Sequence, residues 1–370
     1  MSTAQRSVNV ALAAKSYRID IGPGLMVSAG KTLSEILPSK RICVVTDENV
    51  AKHYVMPLMK SLEAAGFVAG PPIILPAGEE TKNFKNLQSI VDRCLSYKLD
   101  RKSTLIALGG GVVGDITGFA ASMIMRGIGF VQIPTTLLAQ VDSAVGGKTA
   151  INTEQGKNLV GSFYQPKHVI IDTDVLTTLP DRERKAGYAE ILKYALIQDP
   201  QFFDWLEENA GPLLSGDTAA LTHAIETSCA IKAEIVSADE KEERDLRALL
   251  NLGHTYGHAL EALGGYDGRL LHGEAVSIGM LLAFTYAAAA GLCPAKDVER
   301  IKAHLEKAGL MIAPPFPASA KDIVKKMRDD KKNTDGKLTL VLARGIGQAF
   351  IEHDIQESAV QMCLENETWT

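Results

Sequence analysis

STLIALGGGVVGDITGFAASMI, residues 103–124, reads as a buried strand that runs into three glycines and then into a helix. The apolar stretch Ser103–Leu108 is short enough for a strand, and 112–124 continues as a helix rich in small residues. Between them, Gly109, Gly111 and Gly114 fall in the pattern GxGxxG. At a strand-to-helix turn this pattern lets backbone N–H groups and a helix N-terminus hold a pyrophosphate. The acidic residue usual roughly twenty positions later is missing. A variant dinucleotide fold is therefore predicted, in which Glu79 can hold a ribose hydroxyl instead. The competing explanation is a glycine turn needed only for close helix–strand packing.

The flanking sequence extends the same rhythm. Val8–Leu12 and Ser16–Ile21 form a short antiparallel pair, and Arg41–Asp47 is a buried strand followed by a helix over 51–66. Pro72–Leu75, a helix over 84–98 and the strand Phe130–Ile133 complete a βαβα alternation, which implies a mainly parallel sheet covered by helices on both faces. Ligands of such sheets lie beyond the carboxyl ends of the strands. Asp47, Asn49 and the segment Pro76–Glu79 occupy such ends, as does the glycine loop.

From about Pro180 the texture changes to helices, over 182–197, 200–209, 217–238, 248–263, 275–291, 296–308 and 319–328. Two late strands are expected near Lys337–Leu342 and Ala349–His353. The fold class is thus an α/β Rossmann-like domain over 1–179 and a mainly helical domain over 180–370. The 370 residues are long for one core, and 46% hydrophobic with 22% charged residues is ordinary for a globular protein. A net charge of -5 argues against nucleic acid or an anionic membrane as the main partner. The uncharged stretch Ala275–Cys293 is nearly long enough to cross a bilayer, but its small residues and its place after a His-Gly-Glu step favour a buried helix. Five scattered cysteines without a CxxC pair suit a reducing cytosol, and no secretion signal is visible at the N-terminus.

Within the helical half, RALLNLGHTYGHALEALGGYDGRLLHGE (247–274) gathers His254, His258 and His272 beside Arg247, Asn251 and Glu274. His254 and His258 stand four apart in a run of helical spacing, so two imidazoles could approach one cation from one face. Two histidines bonded within a packing face would be the structural alternative. In YAEILKYALI (188–197), Glu190 and Lys193 share the face of an apolar helix and are expected to point into a pocket, where Glu190 could supply a carboxylate. Two histidines and a glutamate with an open position form a catalytic rather than a structural metal set. In the polar stretch 130–161, GGKT at 146–149 is not a Walker A motif, because Asp142 stands where that motif needs glycine. Lys148, Lys157, Asn152 and Asn158 still suggest a loop for an anion or a polyol. Lys232, Arg247 and Asp330-Lys331-Lys332 offer further cations for an anionic substrate.

Taken together, the chain resembles the 3-dehydroquinate synthases along essentially its whole length. The resemblance rests on PAGEETK, GGGVVGD, RGIGFVQIPTTLLAQVDSAVGGKTAIN, GKNLVGSFYQP, LTTLP, YAEILKYALI, RALLNLGHTYGHALEA, LHGEA and DKKNTDG, all in order. Glycerol-dehydrogenase-like proteins share a similar architecture. The resemblance implies an NAD+-dependent enzyme with one divalent ion, Zn2+ or Co2+, acting on 3-deoxy-D-arabino-heptulosonate 7-phosphate in the shikimate pathway. It implies a cytoplasmic homodimer whose ligand is a small anionic sugar phosphate.

Residue by residue, the match puts Glu190, His254 and His272 on the metal, which moves His258 to the phosphate end as a proton-transfer group. Asp142, Lys148, Asn158, Lys193, Lys232, Arg247, Asn251 and one of Lys331 and Lys332 would surround substrate, and Arg126 would reach a neighbouring subunit's site. Asp47, Asn49, Gly78, Glu79, Lys82, Gly111, Val112, Val113, Gly114, Asp115, Thr135, Thr136, Lys148, Lys157, Val175, Leu176, Thr177 and Thr178 would contact NAD+. One departure stands out: DEKEERDLR (239–247) is one residue longer than the family's D-E-x-E-x-G-x-R and lacks its glycine, which leaves the register of Lys232 and of Glu242 against Glu243 open. Rival functions are another sugar phosphate cyclase, an NAD- and metal-dependent polyol dehydrogenase, and a catalytically inert NAD-binding scaffold.

Overall fold

The computed structural model describes residues 5–242, 244–265, 267–328 and 337–366. The chain opens with the antiparallel pair β1 (Arg6–Val10) and β2 (Tyr17–Gly22), followed by α1 (Leu25–Ile36), β3 (Arg41–Asp47), α2 (Glu48–Ala64), β4 (Val68–Ala69) and β5 (Ile73–Leu75). It continues through α3 (Phe84–Ser96), β6 (Thr104–Gly109), α4 (Gly111–Met123), β7 (Gly129–Pro134), the hairpin β8 (Lys148–Thr153) and β9 (Gly156–Phe163), and β10 (His168–Asp172). Then come α5 (Asp181–Gln198), α6 (Pro200–Leu214), α7 (Thr218–Ala238), α8 (His254–Leu263), α9 (His272–Ala289), α10 (Ala295–Lys307), α11 (Ala320–Arg328), β11 (Lys337–Ala343), β12 (Ala349–Gln356) and α12 (Glu357–Glu365).

Two compact units result: Met1–Leu179 with Gly216–Lys241, and Pro180–Ser215 with Glu242–Thr370. The expectation of an unbroken second domain from 180 onward therefore differs in one place. Helix α7 belongs to the first unit because its apolar positions, among them Ala224, Ile225 and Val236, are buried there and it lies against β1 and β2.

In the first unit the sheet order is β1-β2-β10-β7-β6-β3-β4, with β5 also on β3. All neighbours are parallel except β1 with β2. Strand alternation splits the core: Cys43 and Val45 of β3 face a cluster with Leu87, Ile90, Val113 and Ile116 of α3 and α4, whereas Ile42 and Val44 face Leu33, Leu58 and Leu62 of α1 and α2. Taking β3, β5, β6, β7 and β10 as the successive parallel strands, the order is 2-1-3-4-5, and its direction reverses between β3 and β6. That reversal is where open α/β sheets bind ligands. The glycine loop and Asp47 follow those two neighbouring strands.

The second unit is built around α9, whose residues from Gly273 to Phe284 are buried. Helices α5, α8 and α10 pack on it, and the antiparallel pair β11–β12 lies alongside. Among the described residues no helix is long and apolar enough to cross a membrane; the apolar stretch that begins at Ala275 is buried in α9 through Phe284, and the helix ends at Ala289 before Cys293. None of the five cysteines, all among the described residues, is in a disulfide. The continuous helix expected over 248–263 is in fact a 3-10 segment, Leu246–Asn251, followed by α8 from His254. Gly253 makes the break: its φ of 79° is left-handed, and a Cβ there would lie 2.7 Å from the Met280 nitrogen. Leucines 249, 250 and 252 suggest one helix by spacing, but the backbone must turn to lay α8 against α9.

Candidate functional site

Helix α5 carries Glu190 with no exposed surface, and α8 and α9 each open on a histidine, His254 and His272. Their ligand atoms all lie within 4.8 Å of one another. The Nε2 atoms of His254 and His272 sit 3.7 and 3.5 Å from the same oxygen, Glu190 Oε1. Donors bound tetrahedrally at about 2.0–2.1 Å from one zinc-like ion would lie about 3.3–3.4 Å apart, so the three atoms are spaced as ligands rather than as hydrogen-bond partners. The second nitrogens are engaged outward. His254 Nδ1 is 3.2 Å from the Leu252 carbonyl, and His272 Nδ1 is 3.1 Å from Glu261 Oε2. Donation by Nδ1–H to these acceptors leaves each Nε2 lone pair facing Glu190, the arrangement metal-bound histidines adopt. The residues therefore fit a divalent ion.

Convergence depends on how closely α5 meets α9. A Cβ on Gly273, the residue after His272, would lie 2.0 Å from the Ala186 carbonyl oxygen on α5. Glycine at that position lets the two backbones touch. Lys193, one turn beyond Glu190 and 1% exposed, pairs with Glu190 Oε2. Both charges thus point inward, as the apolar flanks of that helix predict. Burial and the Lys193 cation hold the His254 imidazole down to about 3. Burial also opposes charge on His272, but the Glu190 and Glu261 carboxylates outweigh it and push that ring up to about 10. In a metal-bound site the cation takes the place of that proton.

His258 lies one turn beyond His254, with ring centroids 5.4 Å apart. It groups with Glu261 and His272 rather than with Glu190, so the pairing of His254 and His258 on one cation, which their spacing alone allows, gives way to Glu190–His254–His272. A cavity of about 420 Å³ opens beside these histidines. Asp245, Asn251, His254, His258, Thr339 and His353 are among its lining residues. Arg247 is 2% exposed, and its Nε lies 3.6 Å from Glu242 Oε1.

In the first unit the other candidates gather at the carboxyl ends of the strands. Asp47 caps α2 by accepting from the Asn49 and Val50 amides. Lys82 Nζ donates to Asp115 Oδ2 at 2.6 Å and also bonds Asn158 Oδ1, while Asn152 Nδ2 donates to Glu79 Oε1 at 2.7 Å. Burial raises the Asp115 carboxyl above its usual range even though Lys82 acts in the opposite sense. The Thr135 amide donates to the Gly109 carbonyl, which joins the loop after β7 to the glycine loop. Close packing is part of the glycine requirement as well, since a Cβ on Gly114 would lie 2.6 Å from Gln132 Oε1.

Residues 72–186 match the family model described as 3-dehydroquinate synthase N-terminal, and residues 187–333 match the one described as 3-dehydroquinate synthase C-terminal. The chain belongs to the 3-dehydroquinate synthase family. It is 51% identical to the 3-dehydroquinate synthase of Rhodospirillum rubrum over 362 residues, covering 96% of this chain and 94% of that one. Among solved structures it superposes with a TM-score of 0.88 on 2-deoxy-scyllo-inosose synthase complexed with carbaglucose-6-phosphate, NAD+ and Co2+, at 25% identity over 97% of this chain and 100% of the other. A 2-epi-5-epi-valiolone synthase from Streptomyces hygroscopicus with NAD+ and Zn2+ bound gives 0.87 at 29% identity, over 96% and 97% of the two chains.

For a 3-dehydroquinate synthase family member, the residues expected from sequence divide between the two units. Lys232 lies in the first unit, where its Nζ donates to the Asp142 carbonyl and to Asp142 Oδ1 at 2.7 and 2.8 Å. Lys148 opens β8, and Asn158 stands on β9 at a left-handed φ of 56°. Arg126 is exposed, also with left-handed backbone. Val113, Val175 and Leu176 are core residues at 2% exposure. Thr178 Oγ1 is tied to the Tyr54 hydroxyl at 2.7 Å. Lys331, Lys332 and Glu243 lie outside the described residues. Sequence reading missed Glu261, although its position three residues after His258 on the same helix face was a usable signal. It also missed His353 and Thr339, which no spacing connects to the histidine cluster.

Proposed function

We infer that this chain converts 3-deoxy-D-arabino-heptulosonate 7-phosphate into 3-dehydroquinate and phosphate, by oxidation at C5, loss of phosphate, re-reduction and aldol closure. The reaction is a carbon–oxygen lyase step with no net redox change, placed in cytoplasmic aromatic biosynthesis. The observation that carries the reading is the Glu190–His254–His272 convergence, in a chain half identical to a 3-dehydroquinate synthase from end to end. When bound, NAD+ takes up and returns the hydride, while Zn2+ or Co2+ acidifies the hydroxyl and polarises the ketone.

The chain's own residues bind, orient and move protons. Glu190, His254 and His272 hold the cation. Lys193, buried against Glu190, pairs with that carboxylate and offers an N–H to a substrate hydroxyl. His258 holds a proton for the departing phosphate, and Arg247 and Asn251 orient the anionic substrate, with one of Lys331 and Lys332. Asp142, Lys148, Asn158 and Lys232 are further substrate-binding residues. Asp47, Asn49, Gly78, Glu79, Lys82, Gly111–Asp115, Thr135, Thr136, Lys148, Lys157 and Val175–Thr178 cradle the dinucleotide. The active form is a homodimer in which Arg126 serves the neighbouring chain.

The test is phosphate release from the heptulosonate phosphate in the presence of NAD+ and Co2+, followed at 340 nm as well. Stoichiometric phosphate and 3-dehydroquinate without accumulating NADH are expected. Net NADH from a polyol would identify a dehydrogenase, and release only from a hexose phosphate would identify a different cyclase. Arg247→Ala should raise KM for the heptulosonate phosphate by about tenfold or more, the loss of a charge-assisted contact worth about 1.5–3 kcal/mol. NAD+ affinity should stay near wild type, and an equal loss of both would remove Arg247 from the substrate set.

A further inference from the structure

The segment that joins the two histidine-bearing helices is held by an arginine on the third. Arg182 lies two turns before Glu190 on α5. Its Nε donates to Glu274 Oε1 at 2.6 Å and its Nη2 to Glu274 Oε2 at 2.7 Å. The same guanidinium reaches the Gly268 carbonyl at 3.1 Å and the Arg269 carbonyl at 2.8 Å. Glu274 is 5% exposed and accepts from the Leu271 amide at 2.7 Å through Oε2, so its carboxylate satisfies the backbone N–H at the start of α9. Arg269, in turn, donates to the Gly264 carbonyl at the end of α8. One planar fork thus ties α5 to the connection between α8 and α9 and to the α9 turn that begins with His272. A lysine, with a single nitrogen, cannot reproduce that pattern.

We propose that Arg182 and Glu274 form a positioning clasp that sets the distance between Glu190 on α5 and His272 on α9, and so tunes the affinity of the site for its divalent ion. Neither residue needs to touch the ion. Arg182 fixes where α9 starts relative to α5, and Gly273 allows the approach that the clasp then holds. The proposal rests on the reading of Glu190, His254 and His272 as the metal set.

The experiment titrates apoprotein with Zn2+ against a chromophoric chelator and records thermal melts in parallel. Arg182→Gln, Arg182→Lys and Glu274→Gln should each weaken Zn2+ binding by about ten- to a hundredfold, the range seen when outer partners of metal ligands are lost. The Arg182→Gln/Glu274→Gln double variant should fall little further than the weaker single variant, because both changes open one clasp. Excess Co2+ should restore kcat in these variants with KM for substrate unchanged. Zn2+ affinity within twofold of wild type in Arg182→Gln overturns the proposal. So does wild-type affinity in Arg182→Lys, which would reduce the contact to charge alone, or a loss matched by the unfolded fraction in the melt. His272→Ala is the control: if it binds Zn2+ like wild type, the metal set itself is wrong and the clasp falls with it.

Discussion

Gly273→Ala should abolish metal binding in the micromolar range and remove activity with it. The added Cβ would stand 2.0 Å from the Ala186 carbonyl oxygen and 2.5 Å from its carbon, both backbone atoms of a buried helix that cannot swing aside. Helix α9 must move off α5, which carries His272 away from Glu190. Overpacking of this kind costs about 1–3 kcal/mol and sometimes more, so a lower but still cooperative melting transition is expected. Gly211→Ala on α6 is a control for an added helix Cβ away from the site. Beyond its chain neighbours a Cβ there meets nothing within 4 Å, while Pro212 disfavours a helical Ala before it. A slightly lower melting temperature with unchanged metal content is expected. Normal metal content in Gly273→Ala would show that the α5–α9 contact does not govern the site.

His272→Ala should lose metal and turnover together. Removing one of three protein ligands exceeds the about ten- to a hundredfold effect of disturbing an outer partner, so metal should be absent after dialysis against a weak chelator. His258→Ala separates the roles of neighbouring imidazoles: it should retain the metal and lose most of kcat. Metal at full occupancy in His272→Ala, or metal lost in His258→Ala with His272→Ala unaffected, would reverse the assignment of ligand and proton carrier. Metal content by atomic emission, beside phosphate release, reads both.

Much of the first unit was legible because strand and helix periods differ and the strand-end residues announce themselves. Arg41–Asp47 is a strand with the bounds read from sequence, and the glycine loop sits between β6 and α4 as its pattern predicts. The His254–His258 spacing was legible as a helix face but misleading as a metal pair, since spacing along one helix does not report what a different helix brings. Glu190 and His272 come from α5 and α9, and only packing decides that their atoms meet. The break at Gly253 escaped for a similar reason. The leucines before it keep a helical rhythm, and the need to turn comes from Met280, far along the chain. The assignment of α7 to the first unit was equally invisible, because an amphipathic helix does not state which core will take its apolar side.

That excursion has a consequence for how the polypeptide is made and cut. The strands β1 to β10 emerge from the ribosome well before α7, yet β1 and β2 are covered by α7. A fragment ended at residue 179 would expose that surface, and nascent chains pass through the same stage during synthesis. The first unit can reach its finished state only after residue 241 has been translated, by which time α5 and α6 of the second unit have already been made. Neither half is therefore a simple piece that could be shuffled, truncated or expressed by a single cut.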